Sequence, residues 1–168
     1  MNKIITILLL FITVSLTAQV KSSSIGLRGG GVSGFSFKYI DHDYKAFEII
    51  AGWQEGGFRV VGLLQKYQPV ATSRISNLFV FIGGGAHTGY IEQTMEYVYT
   101  GSDGYDYYYP QSIKKPIIGG DFIVGAEYRF KSIPLRLGID YKPYFQFFGE
   151  QDFRVDMWDC GFTLRYEI

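Results

Sequence analysis

Residues 117–148 read IIGGDFIVGAEYRFKSIPLRLGIDYKPYFQFF, and this stretch decides the fold. In its first half Ile118, Phe122, Val124, Ala126, Tyr128 and Phe130 share one phase, while Asp121, Gly125, Glu127 and Arg129 share the other. In its second half Leu135, Leu137, Ile139, Tyr141, Phe145 and Phe147 alternate with Arg136, Gly138, Asp140, Lys142 and Gln146. A period of two is the signature of strands. The four residues Lys131-Ser132-Ile133-Pro134 form the connection. A loop of even length pairs positions of opposite parity. Arg129 therefore faces Arg136, with Glu127 two positions away on the same side.

The same alternation runs outward from this hairpin. From Trp158, the residues Cys160, Phe162, Leu164, Tyr166 and Ile168 alternate with Asp159, Gly161, Thr163, Arg165 and Glu167. Between 44–54 and 57–67 the two-residue turn Glu55-Gly56 pairs Trp53 with Phe58, Ala51 with Val60, Phe47 with Leu64 and Lys45 with Lys66. Bulky apolar pairs then fall on one face, as cross-strand packing requires. No helical stretch of comparable quality occurs.

Composition agrees. The chain has 168 residues, enough for one domain. It carries 16 basic and 16 acidic residues, so a nucleic-acid partner, which needs a basic excess, is not expected. Aromatics make up 18%, against disorder. Glycines number 21, against a helical bundle. Cys160 is the single cysteine, which excludes an internal disulfide and any multi-cysteine metal site.

Residues 1–18 read as a cleaved signal peptide: a short basic start with Lys3, an apolar run from Ile4 to Leu16, and a small residue, Ala18, at the cut. Residues 19–168 then form a single barrel domain. Beyond the N-terminus no run of about 18 apolar residues exists, so a spanning helix is not expected there, although a spanning barrel is allowed.

Two features choose a membrane barrel over a soluble sandwich. The polar faces mix both charges with small residues, as at Gly83, Gly85, His87 and Gly89, which suits a narrow lumen. The apolar faces end in aromatic clusters, Phe37 with Tyr39, Tyr128 with Phe130 and Tyr141 with Phe145, as interfacial girdles do. Crossing a bilayer takes about 9–11 tilted residues, the length of most of these strands. Six strands are clear: 44–54, 57–67, 77–90, 117–130, 134–148 and 155–168. Residues 24–40 count as one strand or, with a turn in Gly29 to Gly34, as two. The second reading is preferred because it gives the even number, eight, that bacterial barrels use. The expected fold is an all-β, antiparallel, up-and-down transmembrane β-barrel of eight strands. Both chain ends, Asp41-His42-Asp43, the 68–76 connection and the 131–133 turn then face the periplasm. Glu55-Gly56, Ile91 to Pro116 and Gly149 to Arg154 face outward.

With its outward apolar face and the short turn Gly125-Ala126-Glu127-Tyr128-Arg129-Phe130-Lys131-Ser132-Ile133-Pro134-Leu135, the chain resembles the small outer-membrane β-barrel proteins of Gram-negative bacteria, the OmpA/OmpX-like porin-family fold. The resemblance covers nearly all of residues 19–168. It implies a place in the outer membrane, in contact with its lipid, and far less about activity. The family usually ends in Phe or Trp, where this chain ends in Ile168.

By phase Arg28, Lys38, Arg59, Arg129, Arg136, Lys142 and Arg165 point inward, with Glu48, Asp121, Glu127, Asp140, Asp159 and Glu167. That near balance suits a closed ion-pair network. Tyr97, Tyr99, Tyr105, Tyr107, Tyr108 and Tyr109 gather in the 91–116 loop, a candidate surface contact for an extracellular or envelope partner. The competing reading is that these rings only extend strands above the bilayer. Asp41-His42-Asp43 is read as a polar turn rather than a metal site, since adjacent turn residues rarely converge on one ion. His87 is expected to point into the lumen, and no nucleophile can be placed beside it. No catalytic residue, cofactor or metal is expected. The expected role is structural or one of cell-surface interaction. The alternatives are a soluble lipocalin-like barrel binding a small apolar ligand, and a lipid-modifying barrel enzyme.

Overall fold

A computed structural model describes residues 22–41, 43–70, 77–100, 105–148 and 152–168. The expected leader (1–18), His42, residues 71–76 of one predicted turn, 101–104 of the expected 91–116 loop and 149–151 of the expected 149–154 connection lie outside these. The described elements are all strands: β1 (Ser22–Gly30), β2 (Ser33–Ile40), β3 (Lys45–Gln54), β4 (Gly57–Pro69), β5 (Leu78–Thr100), β6 (Asp106–Arg129), β7 (Leu135–Tyr141), β8 (Tyr144–Phe148), β9 (Asp152–Asp156) and β10 (Cys160–Glu167). All pairings are antiparallel, and β1 closes onto β10 from Ser24↔Glu167 to Gly30↔Gly161.

These ten segments make a ring of eight. β7 and β8 lie in line along β6, separated only by Lys142-Pro143. Proline has no N–H to give a ladder and so interrupts a strand. The wall stays closed there, because Pro143 accepts from the Phe122 N–H at 2.9 Å and the Lys142 N–H donates to Asp159 at 2.7 Å. β9 and β10 are likewise one strand broken at 157–159, where the Asp156 carboxylate accepts from the Trp158 N–H at 2.9 Å.

The registers follow the turns. Glu55 and Gly56 both have positive φ, 50° and 72°, the left-handed pair that a two-residue hairpin needs. β3 and β4 pair Trp53↔Phe58, Ala51↔Val60, Phe47↔Leu64 and Lys45↔Lys66, as the parity argument requires. Arg129 stands opposite Arg136. Gly31-Val32 is the turn that divides residues 22–40 into two strands. The Ser33 hydroxyl accepts from the Gly30 N–H at 3.1 Å and donates to its carbonyl at 2.9 Å. Eight strands, not seven, is the count.

The outer wall is apolar around the ring. One row followed from strand to strand reads Leu137, Leu164, Leu27, Phe35, Ala51, Val60, Thr88, Ile118 and Phe147, with Thr88 its sole polar member. Leu64 is 69% exposed and Ile118 63%. Trp53, Phe162 and the single cysteine, Cys160, are also on the outside.

Two features differ from the sequence reading. The first is the 91–116 segment, which is not a loop. β5 and β6 remain paired from Ile91↔Lys115 out to Thr100↔Asp106, as a two-stranded ribbon beyond the wall. Its neighbours end earlier: β4 leaves β5 at Phe58↔Tyr90, and β8 leaves β6 at Ile117. A free ribbon has no buried face, so its sequence has no reason to alternate. The second is the interior, which is not wholly polar. Ile50, Val61, Leu63 and Ile123 are at most 1% exposed and pack together inside with Phe81 and Tyr67. β4 is apolar in both phases from Val60 to Leu64, which hid the inward members.

Candidate functional site

The inward side chains fall into three layers along the barrel. The first lies toward the Lys131-to-Pro134 turn and centres on two carboxylates. Glu48 is 2.9 Å from Lys38 Nζ and also pairs with Arg165. Glu127 meets four cations: Arg165 at 3.1 Å, Arg136 and Arg129 each at 3.4 Å, and Lys38 at 3.8 Å. The Tyr67 hydroxyl accepts from Lys38 Nζ at 2.7 Å and donates to Glu127 at 3.2 Å. Gln65 donates to Glu48 at 2.7 Å, and Ser36 donates to it at 2.6 Å. At the mouth, Arg136 reaches Glu167 at 2.6 Å. Arg129 and Glu167 are only partly buried, whereas Lys38, Glu48, Glu127 and Arg136 are fully so.

The middle layer joins β1, β5, β6, β7 and the 157–159 break before β10 through side chains. Arg28 is 2.6 Å from Asp140 and 3.0 Å from Asp159, and its Nη1 donates to the Val32 carbonyl at 2.7 Å. Lys142 lies 2.9 Å from both Asp121 and Asp159. His87 Nδ1 is 2.6 Å from Asp121 Oδ2. The position opposite His87 on β6 is Gly119, where a Cβ would lie 2.7 Å from the ring's Nε2. Glycine there is what makes room for the imidazole.

The third layer, toward the Glu55-Gly56 turn, has a different chemistry. Arg59 donates to Gln146 Oε1 and lies over the Tyr144 ring at 4.3 Å. The Tyr144 hydroxyl accepts from Gln54 at 2.7 Å and donates to Asp156 at 3.2 Å. At the rim the half-exposed Arg154 bridges Glu55 at 2.9 Å and Asp156 at 3.2 Å.

Every residue expected inward by phase is thus on the inner side, and all but Arg59 have an opposite charge beside them. Sequence reasoning placed Gln146 on the polar face but passed over Tyr67, Gln65 and Tyr144. Arg59 sets the odd positions of β4 as inward, so parity alone points to Gln65 and Tyr67. Tyr144 shares its phase with Lys142 and Gln146, but an aromatic ring reads as wall rather than lumen.

Among the described residues His87 with Asp121 is the one acid–imidazole pair, and there His87 Nε2 has no hydrogen-bond partner. No group of three or more His, Cys, Asp or Glu among the described residues is gathered to hold a metal ion. The ribbon tyrosines Tyr97, Tyr99, Tyr105, Tyr107, Tyr108 and Tyr109 are all exposed, Tyr105 by 72%. Tyr97 stands opposite Tyr109 and Tyr99 opposite Tyr107 on one face of the ribbon, Tyr108 lies on the other face opposite Val98, and Tyr105 precedes the paired strand.

Fold and lumen together define an eight-stranded, up-and-down antiparallel β-barrel with a charged interior and an apolar exterior. Among solved structures the chain is similar to the N-terminal β-barrel domain of Pseudomonas aeruginosa OprF. The identity is 13% and the TM-score 0.49, over 90% of this chain and 100% of that one. No family model matches the chain, and no curated protein matches it. A likeness that distant adds nothing to what the register and the lumen establish.

Proposed function

We propose that the chain is a non-enzymatic β-barrel of a bacterial outer membrane, with a structural or cell-surface interaction role and a lumen closed by its own charged side chains. The observation that carries this reading is the inversion of polarity. Arg28, Lys38, Glu48, Glu127, Arg136, Lys142 and Arg165 are at most 2% exposed, while Leu27, Phe35, Trp53, Leu64, Ile118, Ile139 and Phe162 are more than half exposed. A water-soluble monomer rarely exposes an apolar patch beyond a few hundred Å². A barrel wall in hydrocarbon must expose one on every strand, with its backbone groups paired around a closed ring. Reading residues 1–18 as an export leader supports the same location.

The charges also argue for closure. A ring of eight strands is about wide enough for side chains to fill. Ion pairs bridge the lumen from β1 to β7 (Arg28–Asp140), from β2 to β6 (Lys38–Glu127) and from β3 to β10 (Glu48–Arg165). A lipocalin-like pocket would need an apolar cavity where these cations and carboxylates lie.

The deciding experiment is fractionation of the producing cell, then electrophoresis with and without boiling. The chain is expected in the outer-membrane fraction, with a mobility that changes on heating. Planar bilayers containing it are expected to show no steady porin-sized conductance. Recovery as a soluble monomer overturns the location, and a large stable channel overturns the closure.

A further inference from the structure

Six cations are fully buried among the described residues. Five of them, Arg28, Lys38, Arg136, Lys142 and Arg165, have a carboxylate oxygen within 3.1 Å. The sixth is Arg59, 1% exposed, and no carboxylate among the described residues pairs with it. Arg59 is thus the fully buried cation whose partners among the described residues are all uncharged.

A buried charge without a counter-charge is costly, and proteins pair it or bind an ion to it. Arg59 has two partial compensations, the Gln146 oxygen and the face of Tyr144. Neither carries a negative charge. Asp156, the carboxylate that touches Tyr144, is already engaged by Arg154, the Tyr144 hydroxyl and the Trp158 N–H. Arg59 Nε and Nη1 are buried with no partner among the described residues. Gln146 spends its oxygen on the guanidinium, so its amide nitrogen is the end left over, and that nitrogen is also without a partner. Unused donors on two adjoining, fully buried side chains are the complement of an anion.

We propose that Arg59 and the Gln146 amide bind a small, singly charged inorganic anion of halide size inside the lumen. The guanidinium left without a carboxylate carries a single charge, which one singly charged anion matches and a doubly charged oxyanion would overshoot. Arg59's own rung carries Ile117 and the next carries Ile91, 3% and 2% exposed, and the Tyr144 ring lies against the guanidinium. Such surroundings suit a compact, weakly hydrated ion better than one that must keep a shell of water. The site does not depend on whether lipid or water bathes the outer wall.

The test uses the whole folded chain. Crystals grown in sodium bromide are expected to show an anomalous bromide peak in contact with the Arg59 guanidinium. In detergent, the unfolding midpoint is expected to rise with sodium bromide or chloride and to saturate, relative to sodium gluconate at equal ionic strength. Arg59→Met is expected to abolish that saturable rise. Where Arg59→Met does not fold, the bromide map of the unaltered chain decides alone. The site is overturned by an Arg59 with no bromide beside it, by equal midpoints in halide and gluconate, or by a halide response that persists in folded Arg59→Met.

Discussion

Arg136 stands directly opposite Arg129 in the β6–β7 register, and Glu127 lies 3.4 Å from each of them. Two guanidinium groups on one rung repel unless a carboxylate stands between them. Glu127 also takes Arg165 and Lys38, so four cations converge on a side chain with 0% exposure. Removing one partner of a buried pair leaves the other uncompensated, at roughly 3–5 kcal/mol. Glu127→Ala is therefore expected to lose about that much stability in detergent-based unfolding. Val124→Ala, on the same strand with its side chain 40% exposed, is expected to lose about 1 kcal/mol or less. Equal losses would show that the lumen charges do not act as a network.

The pairing that produces this rung was legible in the sequence, and so was most of the wall. Period-two alternation fixes which face each residue occupies, and the lengths of the Glu55-Gly56 and Lys131-to-Pro134 connections fix the registers. What was not legible has one physical cause: alternation reports burial on one side only. Where neither side is buried, as in the ribbon from Glu92 to Lys114, the pattern disappears although the strands persist. Where both sides are apolar, as at Val60-Val61-Gly62-Leu63-Leu64, parity no longer separates lumen from wall. Individual partners are a further step. Phase places Arg28 and Asp140 inward, but their meeting across 112 residues depends on the closure of β1 onto β10.

The ribbon is expected to be separable from the barrel. Every wall pairing is complete by Tyr90 on β5 and Ile117 on β6. Beyond them, β5 and β6 are bonded only to each other. Replacing residues 96–110 with Asn-Gly keeps Met95 opposite Gln111 and supplies a favourable two-residue turn. The shortened chain is expected to keep its heat-dependent mobility and to lose any partner binding that the exposed tyrosines support. Failure of the shortened chain to assemble would instead make the ribbon part of the folding unit.

The Glu55-Gly56 turn is expected to tolerate change unequally. Gly56 has φ of 72°, where a Cβ costs roughly 1–2 kcal/mol, so Gly56→Val is expected to lose about that much. Glu55→Asn removes the half-exposed bridge to Arg154, worth about 0–1 kcal/mol, and places at φ 50° a residue better suited to it. The two effects are of similar size, so Glu55→Asn is expected to be close to neutral by the same unfolding assay. A loss in Glu55→Asn as large as that in Gly56→Val would show that the rim ion pair outweighs the backbone.

Glycines in the wall separate into two kinds, and one substitution of each tests the packing of the lumen. Gly119 faces the interior on β6. A Cβ there would lie 2.7 Å from His87 Nε2 and would also press on the Phe145 carbonyl. Backbone cannot yield cheaply, and the imidazole is held at 2.6 Å by Asp121, which Lys142 also grips at 2.9 Å. Gly119→Ala must therefore displace His87 or distort the β6–β8 ladder. Overpacking of that kind costs about 1–3 kcal/mol. Gly29 on β1 has nothing within 4 Å of a built Cβ and is not in the left-handed region. Gly29→Ala restricts the unfolded chain without straining the folded one, for a gain of roughly 0.4–1 kcal/mol. Unfolding midpoints of the two variants are expected to move in opposite directions from the parent. If Gly119→Ala were neutral, the lumen would have slack beside His87, and a lumen closed by tightly packed side chains would fail at that layer.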